Sequence, residues 1–203
     1  MKDYELEYER WVQQKLALLV VKYSANGMYY HTFDHVLECL NCLNRPELVE
    51  FDTPIMRWAI YYHDCVYNPK SSTNEEDSAN YACADLIGLL SKLGFKDLNT
   101  LFTIKDLILA TKHTNVVVTD KLEKCILDID LSAFASKDVK FKENSAQIRR
   151  EYAHVSDSDF ARGRTKILQS FLDRPHIFHI LTDLESTART NIKNEIMHLS
   201  GQF

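Results

Sequence analysis

The chain has 203 residues, 45% of them hydrophobic and 26% charged, a size that fits one globular domain with a core of its own. Five glycines and four prolines are too few for the corners of an all-β sandwich or barrel, so a mainly helical fold is expected. With 24 basic against 29 acidic residues and a formal charge of -5, the basic footprint of a nucleic-acid wrapper is missing, which leaves room only for a small anion at a local patch.

The first predicted helix runs over Tyr4–Tyr23, where Trp11, Leu16, Leu19 and Val20 recur at helical spacing before Ser24-Ala25-Asn26-Gly27. A second spans His31–Leu43. A third opens at Thr53-Pro54, a cap residue followed by proline at the first helical position, and closes near Tyr67 before Asn68-Pro69. Asn74 then caps a helix whose first turn carries Glu75, Glu76 and Asp77, and which ends at about Leu93, before Gly94. Further helices are expected over 98–112, 120–135, 139–152, 157–172 and 183–199. The only β-like run, Val116-Val117-Val118, is too short for a sheet. Without repeat, low-complexity tract or linker, residues 1–203 are expected to form one all-α domain, with any metal-site helices over about 31–135 and the C-terminal helices, about 137–199, packed on them.

The segment MKDYELEYER has neither a basic flank nor an apolar core, and no apolar stretch is long enough to cross a bilayer. The five cysteines Cys39, Cys42, Cys65, Cys83 and Cys125 are odd in number and scattered over helical segments, as suits a reducing compartment. A cytoplasmic protein with no membrane partner is expected, its thiols mostly packed; a homo-oligomer is compatible with the sequence.

Polar residues that interrupt apolar rows carry the chemical signal. His63 follows Ala59 by four residues and Asp64 follows Ile60 by four, so both extend a core-facing side of the third helix. A carboxylate there needs a cation or hydrogen bonds to offset a burial cost of several kcal/mol, in order of magnitude. His31, His35 and Cys39 share one row of the second helix, and Leu122, Ile126 and Asp130 another further on, whereas Asp128 shares its stripe with Lys121 and Lys124. The row argument makes Asp130 the buried carboxylate and puts Asp128 at the surface or behind a ligand. Two imidazoles and two carboxylates suit Mn, Fe, Co, Ni or Mg with positions left for water. Cys39-x-x-Cys42 lacks a second pair and sits mid-helix, so core packing explains it better than structural zinc.

The order His35, His63-Asp64, Asp130 resembles the HD-domain metal-dependent phosphohydrolase superfamily. The surrounding text is more specific. Tyr30-His31-x-x-x-His35, His63-Asp64-x-Val66-Tyr67, Asn74-Glu75-Glu76-x-Ser78-Ala79 and Asp128-Ile129-Asp130-Leu131-Ser132 look like one bacterial branch of predicted HD phosphohydrolases. The likeness continues through Arg150-Glu151-Tyr152, Gly163-Arg164 and Ala188-Arg189-x-Asn191. It implies a helical bundle of the HD type with a divalent metal held by His35, His63, Asp64 and Asp130. Relatives tend to have an arginine shortly before the Tyr-His pair, where this chain has Gly27-Met28-Tyr29, so a phosphate contact from that position is in doubt.

On this reading a metal-activated water, with Asp64 among its holders, cleaves a phosphate ester of a nucleotide or other small phosphorylated compound. Glu75 or Glu76 would serve as general acid or hold the water, although first-turn helix charges explain them equally well. His113 is placed at the phosphate or a second metal because related proteins carry a histidine between the His-Asp pair and the last aspartate. Lys112 is a candidate phosphate contact, and Arg150 and Arg164 are chosen among the C-terminal cations because they fall in family-like stretches. His31 is expected to hydrogen-bond behind the ligands; His176 and His179 are expected to be structural. Two other classes remain open, a di-iron oxygenase using His31 or His113 as extra ligands, and a nucleotide-binding regulatory module without turnover.

Overall fold

Side-chain hydrogen bonds fix where these helices start and stop. In the computed structural model, which describes residues 2–92, 98–114 and 117–201, the α-helices are α1 (Lys2–Lys22), α2 (Phe33–Cys42), α3 (Pro54–Tyr62), α4 (Asn74–Lys92), α5 (Asn99–Ala110), α6 (Lys121–Leu131), α7 (Asp138–Glu151), α8 (Asp157–Leu172) and α9 (Glu185–Ser200). Short 3-10 turns cover Val49–Phe51, Ser132–Ala135 and Thr182–Leu184, and the described residues contain no strand. The chain is therefore all-α. Leu93, Gly94 and Val116, used above to end a helix and to mark a β-like run, lie outside the described residues.

The predicted cap at Thr53 is in place, Asp120 and Ser156 cap α6 and α8 although the sequence did not single them out, and Asn74, the other predicted cap, is instead the first residue of α4, its Oδ1 accepting from the Asn68 N–H at 2.9 Å. Thr53 Oγ1 accepts from the Met56 N–H at 3.3 Å with Pro54 following it, Asp120 accepts from the Glu123 N–H at 2.9 Å, and Ser156 Oγ accepts from the Asp159 N–H at 3.2 Å. Each satisfies an N–H that the first helical turn leaves unpaired.

Three boundaries differ from the expectation. Helix α2 begins at Phe33 rather than His31, because the N–H groups of Tyr29, Tyr30 and His31 all donate to the carboxylate of Glu151. Helix α3 ends at Tyr62, not near Tyr67. The Ile60 carbonyl, which Asp64 would use to continue the helix, accepts from the His63 ring at 2.8 Å, and the Asp64 N–H turns to the Tyr23 hydroxyl at 3.2 Å. Ser78 Oγ then takes the Val66 N–H at 3.0 Å. His63 and Asp64 thus lie in the turn after α3, not within a helix. Beyond α6 the chain tightens into the 3-10 turn Ser132–Ala135, whose carbonyl at Phe134 and the next at Ser136 are taken by the Asn191 side chain at 2.8 and 2.9 Å.

One hydrophobic cluster runs from Leu19 on α1 to Leu199 on α9. Helix α5 packs between α4 and α3, α6 meets α2, α3 and α5, and α9 closes over α8 and the turn after α6. Helix α6 is central: Cys125, Ile126, Leu127, Asp128, Ile129 and Leu131 are all buried, which leaves it almost no solvated side. This arrangement brings α2, the end of α3, the end of α5 and the end of α6 to one place.

Candidate metal centre

Four elements deliver the polar groups that meet in the core. His35 comes from the first turns of α2, His63 and Asp64 from the turn after α3, His113 from the end of α5 and Asp130 from the last turn of α6. Asp130 Oδ1 lies 3.2 Å from His35 Nε2 and 3.5 Å from His63 Nε2, and Oδ2 lies 2.7 Å from His113 Nε2. Burial alone would raise the Asp130 carboxyl; the imidazoles of His113, His35 and His63 instead hold it well below the usual carboxylate range. An ionised carboxylate only accepts, so His35 and His113 present ring N–H groups to it.

His63 is oriented for ligation. Its Nδ1–H donates to the Ile60 carbonyl at 2.8 Å, which fixes the ring and turns Nε2 into the cluster. Asp64 Oδ2 is 3.1 Å from Nε2, but neither it nor Asp130 is aligned to hydrogen-bond, so this nitrogen, on a residue only 2% exposed, has no hydrogen-bond partner. Burial disfavours a charged His63 ring, yet the adjacent Asp64 and Asp130 outweigh it and raise its pKa well above the ordinary histidine value. For Asp64, burial pushes the carboxyl up and the His63 ring brings it down to about 2. A buried nitrogen that makes no hydrogen bond and is flanked by two carboxylates at 3.1 and 3.5 Å is a place where a divalent cation could replace the ring proton as their counter-charge.

His35, His63 and Asp130 form, with Cys39, a compact group whose ligand atoms all lie within 4.8 Å of one another and could hold a metal ion. Asp64 touches His63 at the edge of that group. The sequence reading assigned Cys39 to packing, and only its place one turn after His35 on α2 hinted otherwise.

His113 has φ 55°, in the left-handed region that a non-glycine residue occupies at a cost of order 1 kcal/mol. The contact with Asp130 on one side and the Arg174 guanidinium, which donates to the His113 carbonyl at 2.6 Å, on the other hold it there.

A cavity of about 740 Å³ opens above the cluster. Its lining includes His31, Asp64, Glu75, Lys112, Arg164 and Arg174. No family model, curated protein or solved structure matches this chain. What the site does must be argued from its own groups.

The other predicted residues divide. Glu75 reaches the cavity, where burial pushes its carboxyl above the usual range and the neighbouring Asp64 adds to the shift. Glu76 does not line it and pairs with Lys112, whose Nζ also donates to the Ser72 carbonyl at 2.9 Å. Arg164 lines the cavity but pairs with Glu195 at 3.1 Å. Arg150 is away from it, exposed, with its guanidinium 3.9 Å over the Tyr29 ring. His176 and His179 are exposed, outside the cluster. Arg174, overlooked in the sequence, pairs with no carboxylate among the described residues and stacks on Phe171 at 4.5 Å.

Asp128 corrects the row argument. It is 0% exposed, and its oxygens accept from the N–H groups of His179, Ile180 and Leu181 at 2.6–3.0 Å, while Asp130 is only half-buried. Because α6 is buried nearly all round, sharing a stripe with lysines did not place Asp128 in solvent.

Glu151 is a second unpredicted organiser. Oε1 accepts from the N–H groups of Tyr29, Tyr30 and His31 at 2.8, 2.7 and 3.0 Å, and Oε2 from His31 Nδ1 at 2.7 Å. The His31 ring stacks on Tyr67 at 3.8 Å. Burial opposes charge on both partners, but their hydrogen bond raises His31 above 6.5 and lowers Glu151 below 4.5. Stability from the His31 shift is complete below its ordinary value and is lost as pH rises through the raised one. That from Glu151 is complete above its ordinary value and is lost as pH falls through the lowered one. The pair therefore contributes most between pH 4.5 and 6.5. Glu151→Ala is expected to lower stability by about 2–4 kcal/mol by stranding three backbone donors and a ring. Denaturant melts should show the largest difference from wild type inside that window, and equal melts at every pH would refute the role.

Proposed function

We propose that the chain is a metal-dependent phosphohydrolase acting on a small phosphate ester. The observation that carries the reading is the unpartnered His63 Nε2 among His35, Asp130 and Asp64, at the base of a cavity whose walls bear His31, Lys112, Arg164 and Arg174. The resemblance to HD-domain phosphohydrolases supports it independently of the geometry.

His35, His63 and Asp130 would hold the ion, with Asp64 the further carboxylate that the resemblance assigns. A divalent cation there supplies two things, a lowered pKa for water and polarisation of a phosphoryl oxygen. The chain's own groups do the rest. Arg174, which pairs with no carboxylate among the described residues, would draw a phosphate into the cavity and offset its negative charge. Glu75, whose carboxyl burial pushes above the usual range, lines the cavity and would serve as the proton donor to a leaving oxygen. The rings of Tyr67 and His31, stacked on each other, wall one side of the cavity. The substrate on this reading is a phosphate ester of a nucleotide or other small phosphorylated compound, with Mn, Co, Ni, Fe or Mg as the cation.

The reading is tested by release of inorganic phosphate from a panel of nucleotides and sugar phosphates, with each of those metals, by wild type and Asp64→Ala. Release that depends on metal and is lost in the variant is expected. Parental rates from Asp64→Ala would sink the assignment.

Cation entry should also expel protons, since Asp64 and Asp130 raise the pKa of the His63 ring well above the ordinary histidine value and a ligating imidazole must be neutral. Calorimetric titration with zinc or manganese at pH 7, in buffers of different ionisation enthalpy, should show proton release of about one or more per ion, and affinity should fall as pH is lowered. Binding heats independent of buffer would contradict this.

A further inference from the structure

We propose that Tyr30 touches the substrate, its hydroxyl donating a hydrogen bond to a phosphoryl oxygen of the ester bound over the cluster. The inference rests on the phosphohydrolase reading above and adds to it a residue of the loop before α2.

Tyr30 is set in place by its backbone. Its N–H donates to Glu151 Oε1 at 2.7 Å, and its carbonyl accepts from the Thr32 N–H at 2.8 Å. The ring so placed lies against two histidines, its centre 5.0 Å from that of His35 at 34° and 4.9 Å from that of His31 at 90°. These contacts hold a half-buried aromatic ring beside a metal-site imidazole, on the wall of the cavity of about 740 Å³ that His35, Asp64 and Asp130 also line.

The hydroxyl is what this framework leaves over. Tyrosines packed in the core give theirs to the protein: Tyr23 donates to the Tyr61 carbonyl at 3.2 Å, and Tyr62 to Asp85 Oδ2 at 2.6 Å. The Tyr30 hydroxyl has no hydrogen-bond partner among the described residues. A phenol keeps its proton at neutral pH, and burial, with the Asp130 carboxylate near it, pushes the pKa further up. The group therefore faces the cavity as an O–H donor. Because the ring packs on His35, the part of the ester nearest to it is the phosphoryl group that a cation on His35 would hold, not the alcohol. A hydrogen bond to a charged phosphoryl oxygen is among the stronger ones a hydroxyl can make.

Tyr30→Phe removes one oxygen that the fold does not use. The test is calorimetric titration of the cobalt-loaded whole protein with orthophosphate, wild type beside Tyr30→Phe. Binding should weaken about ten- to a hundredfold, the size of a hydrogen bond to a charged group, with cobalt content and thermal midpoint unchanged. Equal affinities would overturn the contact and leave the phosphohydrolase reading standing. Loss of cobalt from the variant, or a lower midpoint, would show that the hydroxyl serves His35 or the fold and would overturn the contact as well. If orthophosphate binds wild type too weakly to measure, kcat/KM for the ester of the panel that wild type cleaves fastest decides, a fall of at least about tenfold supporting the contact and a parental value refuting it. Neither orthophosphate binding nor phosphate release from any ester by wild type would overturn the phosphohydrolase reading and this inference together.

Discussion

Asp130→Ala should lose bound metal almost completely while the protein stays folded. Both carboxylate oxygens of Asp130 are spent on side chains, Oδ1 facing His35 and His63 and Oδ2 facing His113, and neither accepts from a backbone donor among the described residues. Removing them takes away the anion that would balance a cation and lets three imidazoles repel one another when protonated. No N–H group of the framework is stranded, so circular dichroism and the cooperativity of unfolding should change little. Ligand loss should weaken metal affinity by at least about a hundredfold, since even groups that only support a ligand are worth 10–100-fold. Phosphate release should fall in proportion. The readout is metal content after gel filtration, wild type beside variant, with helical content as control. Metal retained at the wild-type ratio would place the ion elsewhere in the molecule and remove the basis for the proposed chemistry.

How much of this could be read from the sequence depends on how local the determining contact is. The caps at Thr53, Asp120 and Ser156 act within three residues, and the helices they open begin where the sequence placed them. The ends of α3 and the start of α2 are set instead by partners far along the chain, Tyr23 for Asp64 and Glu151 for residues 29–31, some 41 and 120 or more positions away. No window of periodicity sees them. His35 was recoverable because a polar residue that extends an apolar row has few explanations, whereas the same row argument placed His63 inside a helix that ends before it and picked Asp130 over the more deeply buried Asp128. Cys39 and Arg174 were not recoverable: a cysteine on the same row reads as packing, and Arg174 acquires its place only when α8 folds back over the end of α5.

Asp128→Ala should behave in the opposite way, costing stability and leaving the metal group's own ligands intact. The Asp128 carboxylate takes the N–H groups of three successive residues, His179, Ile180 and Leu181, two of the bonds going to His179. That segment leads into α9 and has no helix of its own to satisfy these donors. Because Asp128 is 0% exposed, alanine strands all three donors, and a loss of about 3–5 kcal/mol is expected, large among single substitutions. Burial pushes the Asp128 carboxyl up, and the three N–H groups only partly reverse this, so its charge matters less than its oxygens. Asp128→Asn, which keeps one acceptor, should therefore fall between wild type and alanine in urea-induced unfolding. Asp128 and Asp130 are neighbours on one helix, and the pair of variants separates what each side of α6 is for. An Asp128→Ala protein as stable as wild type would mean that the 179–181 segment finds other acceptors. One that lost metal in the native state would show instead that this segment, through α6, sets the position of Asp130.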